Sequence, residues 1–214
     1  MRNLPKRIFI AGIGTDVGKT VVSAILAEAL HADYWKPVQC GDLDNSDTNK
    51  VRSLVSNYIS KFYPEEYKLK VAASPHYAAE AEKVLITPGQ LEVPKSDIRI
   101  LIEAAGGLMV PLSKDYLVID LIKHFKASVI LVSKNYLGSI NHTLLSIEAL
   151  KAREIEVLGI IFNHKNYFDN EEIIQHFANI SILGEVEKAE TVDKEFVIAE
   201  AEKLRATLSK HFEL

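Results

Sequence analysis

Arg7-Ile8-Phe9-Ile10-Ala11-Gly12-Ile13-Gly14-Thr15-Asp16-Val17-Gly18-Lys19-Thr20 is the stretch that decides the fold. Arg7–Ala11 is a short β-rich run ending in glycines and reads as a strand. From Gly18 to Leu30, the residues Val21, Val22, Ile25, Leu26 and Leu30 recur at helical spacing. A glycine-rich turn between a strand and a helix is the setting of a phosphate-binding loop. Glycines let backbone N–H groups turn inward around phosphate oxygens, and the helix N-terminus adds partial positive charge. In such a loop Lys19 reaches the β- and γ-phosphates and the Thr20 hydroxyl ligates Mg2+. Ile13 stands where the standard pattern has its first glycine, so the loop is a variant, flanked by Gly12 and Gly14. The competing reading is a turn with a chance Gly-Lys-Thr, and the strand–loop–helix setting favours the nucleotide. The loop names a binder of nucleoside triphosphate without naming a reaction.

Outward from the loop, apolar runs alternate with helical patterns. Tyr34–Val38, Ile98–Ala104, Ser128–Ser133, Val157–Phe162 and Ile180–Val186 read as strands. Asp47–Tyr58, Leu117–Phe125, Ser139–Ala152, Glu171–Phe177 and a C-terminal segment carrying Val197, Ala201, Leu204 and Leu208 read as helices. Strands apolar on both faces and separated by helices predict an α/β fold: a doubly wound, mainly parallel, P-loop NTPase-like sheet with helices on both faces. The proline-bearing stretch from Ile59 to Pro94 is irregular. The sheet pattern resumes after it, so residues 1–214 read as one domain.

With 48% apolar and 25% charged residues the chain is globular in composition. Its 25 Lys+Arg against 29 Asp+Glu give a formal charge of −4, which disfavours a nucleic-acid-coating role. A lone cysteine, Cys40, cannot form an internal disulfide, and a cytoplasmic setting is expected. No apolar run suits a bilayer, and the short run Ile8–Ala11 leads into the loop rather than a cleavage site. Neither nucleic acid nor membrane is an expected partner.

Further residues carry candidate chemistry, each beside a plainer explanation. Lys36, held by Pro37 at a strand end, points to a phosphate-stabilising cation, or to a surface lysine. Asn45-Ser46-Asp47-Thr48 reads first as a helix cap, with Asp47 as an acidic partner of Mg2+ the alternative. Glu103 ends a buried strand just before Ala104-Ala105-Gly106-Gly107. A carboxylate there is costly unless solvated, paired or metal-bound, which makes it a metal candidate. Gly138-Ser139-Ile140-Asn141-His142 opens a helix whose free N–H groups suit a carboxylate, or are capped by Ser139 or Asn141. Asn163-His164 follows a strand and offers hydrogen bonds to a base edge. Cys40 reads as a small residue near the site, with no base arranged to make it a nucleophile.

Taken in order, Gly12–Thr20, Lys36-Pro37-Val38, Asn45-Ser46-Asp47, Ser74-Pro75-His76, Glu103 with Gly106-Gly107, Gly138–His142 and Asn163 resemble the dethiobiotin synthetase family of biotin-pathway ligases. The resemblance covers most of the chain. It implies a homodimer that joins 7,8-diaminononanoate and CO2 using ATP and Mg2+, through a carbamate that ATP phosphorylates. It implies Lys19 and Lys36 at the carbamate and the transferring phosphoryl group, and Thr20, Asp47 and Glu103 around Mg2+. Asp16, Val17, Gly18, Lys19, Thr20 and Val21 would cradle the phosphates. Ala104, Ala105 and Gly106 would border the nucleotide, and Asn163 with His164 would face adenine. Thr15 and Cys40 would line the diamine site, and Gly138, Ser139, Ile140 and Asn141 of the partner subunit would hold the substrate carboxylate.

Four departures carry expectations. Asp16 replaces a longer Glu, Cys40 replaces Ser or Thr, and Ala104 replaces Gly, constraining the backbone near the nucleotide. Glu187-Lys188-Ala189 replaces a Pro-apolar run after Val186, which predicts relaxed nucleotide selectivity. The main rival is a partition or cell-division ATPase switch, which shares fold and variant loop. Such proteins place a lysine near the loop start, where this chain has Ala11-Gly12-Ile13-Gly14. A non-catalytic nucleotide-binding module sits poorly with Lys19, Thr20, Lys36, Asp47 and Glu103 together. A cobyrinate-type synthetase would need an added glutaminase domain.

Overall fold

A computed structural model describes residues 2–164 and 170–214. Seven strands form the main sheet: β1 (Arg7–Gly12), β2 (Asp33–Trp35), β3 (Phe62–Tyr63), β4 (Ile100–Gly107), β5 (Ser128–Lys134), β6 (Val157–Asn163) and β7 (Ile182–Val186). Their order across the sheet is β7-β6-β5-β1-β4-β2-β3, and every neighbouring pair is parallel. The helices are α1 (Lys19–Leu30), α2 (Asp47–Leu54), α3 (Pro75–Ala81), α4 (Val118–His124), α5 (Ser139–Lys151), α6 (Asn170–Ala178) and α7 (Lys194–Leu208).

Both sheet faces are covered, which is why the strands read as continuous apolar runs. One face packs Ile8, Ile10, Tyr34 and Leu101 against Val22, Ile25 and Leu26 of α1 and against Ala201 and Leu204 of α7. The other packs Phe9, Trp35, Ile100 and Ile102 against Ile119 and Ile122 of α4, Ile147 of α5 and Ile174 of α6. Because all strands run one way, Gly12, Trp35, Gly107, Lys134 and Asn163 finish at one edge. The chain leaves β1 for β2 on one side and crosses from β4 to β5 on the other, so the crevice beside β1 is where a ligand of an open α/β sheet binds.

The sequence expectations differ from the structure at several boundaries. Tyr34–Val38 is not one strand. It breaks at Lys36-Pro37, and Val38–Cys40 pairs instead with Tyr67–Leu69. Pro37 has no N–H to continue a ladder, and its carbonyl accepts from the amides of Glu66 and Tyr67. The helix expected to reach Tyr58 stops at Leu54. Val55 is extended, and Glu28 collects the amides of Ser56 and Asn57. The irregular stretch Ile59–Pro94 contains the edge strand β3 and helix α3, with Pro75 in the first turn of α3.

Candidate active site

The loop after β1 wraps the start of α1. Gly18, at φ 91°, caps that helix without a side-chain hydrogen bond, leaving the first-turn amides for a ligand. A Cβ on Gly18 would lie 1.9 Å from Asn163 Nδ2, so only glycine fits both the left-handed backbone and the close approach of β6. Asn163 is buried and donates Nδ2 to the Val17 carbonyl at 3.0 Å. It thereby ties the loop to the end of β6. Lys19 folds back on the loop and donates Nζ to the Gly14 carbonyl at 2.9 Å. Burial pushes its ammonium down to about 8, against the opposing pull of Glu103.

Glu103, 1% exposed, is the hub of the site. Its Oε1 accepts from Thr20 Oγ1 at 3.0 Å and from Lys36 Nζ at 3.4 Å. Its Oε2 accepts from Ser23 Oγ at 2.8 Å and from the Tyr34 hydroxyl at 2.9 Å. The donors come from the first turns of α1, from β2 and from the segment following β2, which all converge on β4. Lys36 Nζ also donates to Asp47 Oδ2. Burial opposes the Lys36 charge, but the carboxylates of Glu103 and Asp47 outweigh it and hold the ammonium above its ordinary range. Asp47 is likewise opposed by burial, and the Lys36 charge holds it below the usual carboxylate range. The capping reading of this segment holds. Ser46 is the N-cap of α2 and accepts from the Asn49 amide, while Asp47 takes the first helical position with its amide donated to Gln39 Oε1 at 3.4 Å.

A cavity of about 330 Å³ gathers Thr15, Asp16, Gly18, Lys19, Thr20, Lys36, Asp47, Glu103 and Gly106. Beside it a cavity of about 530 Å³ takes in Cys40, Ala105 and Val110 and shares Thr15, Asp16, Lys36, Asp47 and Gly106 with the first. Burial pushes the Cys40 thiol up to about 11, so it lines this space as a neutral group. Among the described residues no three His, Cys, Asp or Glu side chains are gathered as a self-sufficient metal site. Thr20, Asp47 and Glu103 bring hard oxygen donors to the same cavity. That set suits Mg2+ completed by phosphate oxygens and water rather than an all-protein cage.

The remaining candidates lie as follows. Val17 is buried and Val21 half-buried in the packing under α1. Ala104 is 2% exposed and belongs to the core on the face away from α1, so its methyl group does not enter the phosphate cavity. His164 is half-buried at φ 72°; burial, with Lys134 and Lys188 nearby, pushes its imidazole down. Gly138, Ile140 and Asn141 line a separate space of about 820 Å³ with Tyr136, Leu137 and Leu144. Ser139 is buried, with its Oγ unpaired among the described residues. Within one chain this group shares no wall with Lys36. Ser23, Tyr34 and Gln39 were not among the sequence candidates. The sequence signals for Ser23 and Tyr34 are a serine one turn after Thr20 and a tyrosine hydroxyl inside a buried strand; Gln39 has no such signal.

A family model described as an AAA domain matches residues 6–195. Two solved structures share the build. The MinD cell-division protein in its complex with MinC from Aquifex aeolicus has a TM-score of 0.57 at 13% identity, covering 96% of this chain and 95% of that one. A ParA-family ATPase from Chlorobium tepidum has a TM-score of 0.53 at 14% identity, covering 97% of each chain. At that identity the likeness concerns the fold alone. A parallel sheet with a glycine-capped loop, a buried loop lysine and an acid-held hydroxyl at its carboxyl edge defines a P-loop nucleoside-triphosphate-binding protein. Proteins named ATP-dependent dethiobiotin synthetase from Christiangramia forsetii and Cytophaga hutchinsonii are 49% identical over 205 residues and 48% identical over 200; they cover 96% and 93% of this chain, and 99% and 97% of their own lengths. The chain belongs to the ATP-dependent dethiobiotin synthetase family. No helix among the described residues is long and apolar enough to cross a membrane.

Proposed function

We propose that this chain makes dethiobiotin in biotin biosynthesis, from 7,8-diaminononanoate, CO2 and ATP, with release of ADP and phosphate. One amine of the diamine adds to CO2, forming a C–N bond and losing a proton, to give a carbamate. A carbamate oxygen attacks the γ-phosphorus of ATP, and the bond to the ADP oxygen breaks. The second amine then attacks the carbamate carbon, closes the cyclic urea and expels phosphate with loss of a proton.

The observation that carries this reading is Lys36. Its ammonium pairs with Asp47 and Glu103 in the wall common to the two cavities, a wall that Thr15 and Asp16 of the phosphate loop complete. An anionic carbamate and a triphosphate repel each other, and a fixed cation between them stabilises charge that spreads over the transferring group. Lys19, which donates to the Gly14 carbonyl, would turn to the β- and γ-oxygens of a bound nucleotide. Thr20, Asp47 and Glu103 would hold Mg2+, which would supply charge neutralisation for the phosphate oxygens. Asp16, Val17, Gly18 and Val21 frame the phosphates, with Ala105 and Gly106 opposite. Asn163 and His164 form the adenine side, next to the Glu187-Lys188-Ala189 replacement.

Thr15 and Cys40 border the diamine space. Its carboxylate tail goes to Gly138, Ser139, Ile140 and Asn141 of a second copy in a homodimer, a part of the reading supported by the exposed apolar side chains Tyr136, Leu137 and Leu145 around that helix start. The whole chain acts as one catalytic unit in the cytoplasm. The test is dethiobiotin formation by the purified protein, omitting diamine, bicarbonate, ATP or Mg2+ in turn. Product should appear only in the complete mixture. ATP hydrolysis at the same rate without diamine would favour the ATPase-switch reading instead.

A further inference from the structure

We infer that Tyr34 and Ser23 are positioning residues that set the metal affinity of the site by fixing the Glu103 carboxylate. The inference rests on the reading of Glu103 as a metal-facing acid. Tyr34 is fully buried in β2, and Glu103 projects from the neighbouring β4 on the same face. The register pairs Tyr34 with Leu101, which makes Tyr34 and Glu103 diagonal neighbours. A phenylalanine would serve the surrounding apolar core equally well. A phenolic O–H there is costly to bury unless it is bonded, and its bond is to Glu103 Oε2 at 2.9 Å. Ser23, fully buried one turn after Thr20, donates to the same oxygen at 2.8 Å.

The two carboxylate oxygens are therefore divided. Oε2 is turned away from the cavity and occupied by two hydroxyls that line neither cavity. Oε1 is directed to Thr20 and Lys36, which do line it. A carboxylate pinned through one oxygen presents the other in a fixed direction without ordering cost when a cation arrives. Outer-shell bonds of this kind commonly govern metal affinity by about 10–100-fold. Loss of the Tyr34 hydroxyl leaves Oε2 held by Ser23 alone and loosens the orientation of the carboxyl, so the effect falls on the metal and leaves metal-free nucleotide binding unaltered.

The test uses the full chain and Tyr34→Phe, with Ser23→Ala as a second variant that leaves the aromatic core intact. ADP binding is measured by calorimetry with and without Mg2+, and dethiobiotin formation is measured against Mg2+ concentration. For Tyr34→Phe, the Mg2+ needed for half-maximal rate should rise about tenfold or more, and the Mg2+-dependent gain in ADP affinity should shrink to match. ADP affinity without metal should stay within about twofold. Ser23→Ala should move both readouts in the same direction. Unchanged Mg2+ dependence in both variants, with or without a fall in melting temperature, overturns the inference and leaves a structural hydrogen bond. If the wild-type chain itself shows no Mg2+-dependent gain in ADP affinity, the Glu103 reading fails, and this inference with it.

Discussion

Replacing Lys36 by methionine separates its charge from its volume. Methionine keeps the apolar stem, so little void is left behind, and what disappears is the ammonium beside Asp47 and Glu103. At 3.4 Å and an effective dielectric constant near 20, the attraction to Glu103 alone is about 5 kcal/mol before desolvation is subtracted. Burying the ammonium, whose side chain is 8% exposed, offsets much of that. Glu103 retains three hydroxyl donors, and Asp47, with 20% of its side chain exposed, can turn to water. The stability loss should therefore be about 1–3 kcal/mol, below the 3–5 of a fully stranded buried charge. For a chain of this size that lowers the melting temperature by roughly 2–12 °C.

The effect on rate should be larger. A preorganised charge aimed at a transferring group contributes about 2.7–4 kcal/mol, or 10²–10³ in kcat. ATP affinity, carried by the loop amides and Lys19, should fall by less than about tenfold. Single-turnover dethiobiotin formation gives the chemical rate, calorimetry the affinity, and a thermal melt the stability. A kcat within about threefold of wild type would remove Lys36 from phosphoryl transfer and refute the argument. A rate loss matched by an equal loss of ATP affinity would refute the claim that Lys36 acts on the reacting group.

Gly18→Ala should abolish measurable nucleotide binding, because its Cβ meets Asn163 Nδ2 at 1.9 Å in a left-handed backbone; wild-type ADP affinity by calorimetry would contradict the described loop. Cys40, with its thiol pushed up to about 11, carries on the order of one thiolate per thousand at pH 8 and should react with a disulfide reagent roughly tenfold or more slower than a free thiol. Rapid modification would show that burial does not protect it. For Glu28, burial raises the carboxyl pKa, but donors from Ser56 and Asn57 outweigh it, so the folded value lies below the unfolded one. Its stabilisation is then present above the ordinary carboxylate range and lost as pH falls through the folded value. Glu28→Gln should flatten the acid side of the stability curve, and an unaltered profile would count against the clamp.

The sheet was legible in the sequence because parallel strands buried on both faces leave apolar runs such as Ser128–Ser133 and Val157–Phe162. The break at Lys36-Pro37 was not, since Val38 continues the apolar run while the backbone changes partner. Helix α3 was hidden because small residues, Ala78 and Ala79, do its packing. At the site, Lys19 and Thr20 were legible from the glycine-rich loop between strand and helix, Lys36 from its strand end before Pro37 and Glu103 from the cost of burying a carboxylate, while Asp47 read first as a helix cap; the fold brings all five to one cavity. Ser23 and Tyr34 were not, because their hydroxyls matter only once β2, β4 and α1 are placed side by side. The Asn163 link to Val17 joins residues far apart in the chain, and no local pattern signals it. Strand alternation turns the Ala104 methyl group into the core on the opposite face, so any effect of replacing Gly there falls on the backbone, as the sequence reading has it.

The two adjoining cavities share a partition made from Thr15, Asp16, Lys36, Asp47 and Gly106. A compound tethering a short diamine-like arm to a polyphosphate mimic would therefore occupy both rooms at once. Linkage makes the second contact intramolecular, and avidity can exceed that of either half by about 10²–10⁴ when the tether matches the span. An inhibitor of this chain is best drawn as one molecule straddling the ammonium of Lys36, rather than as a competitor for either room alone.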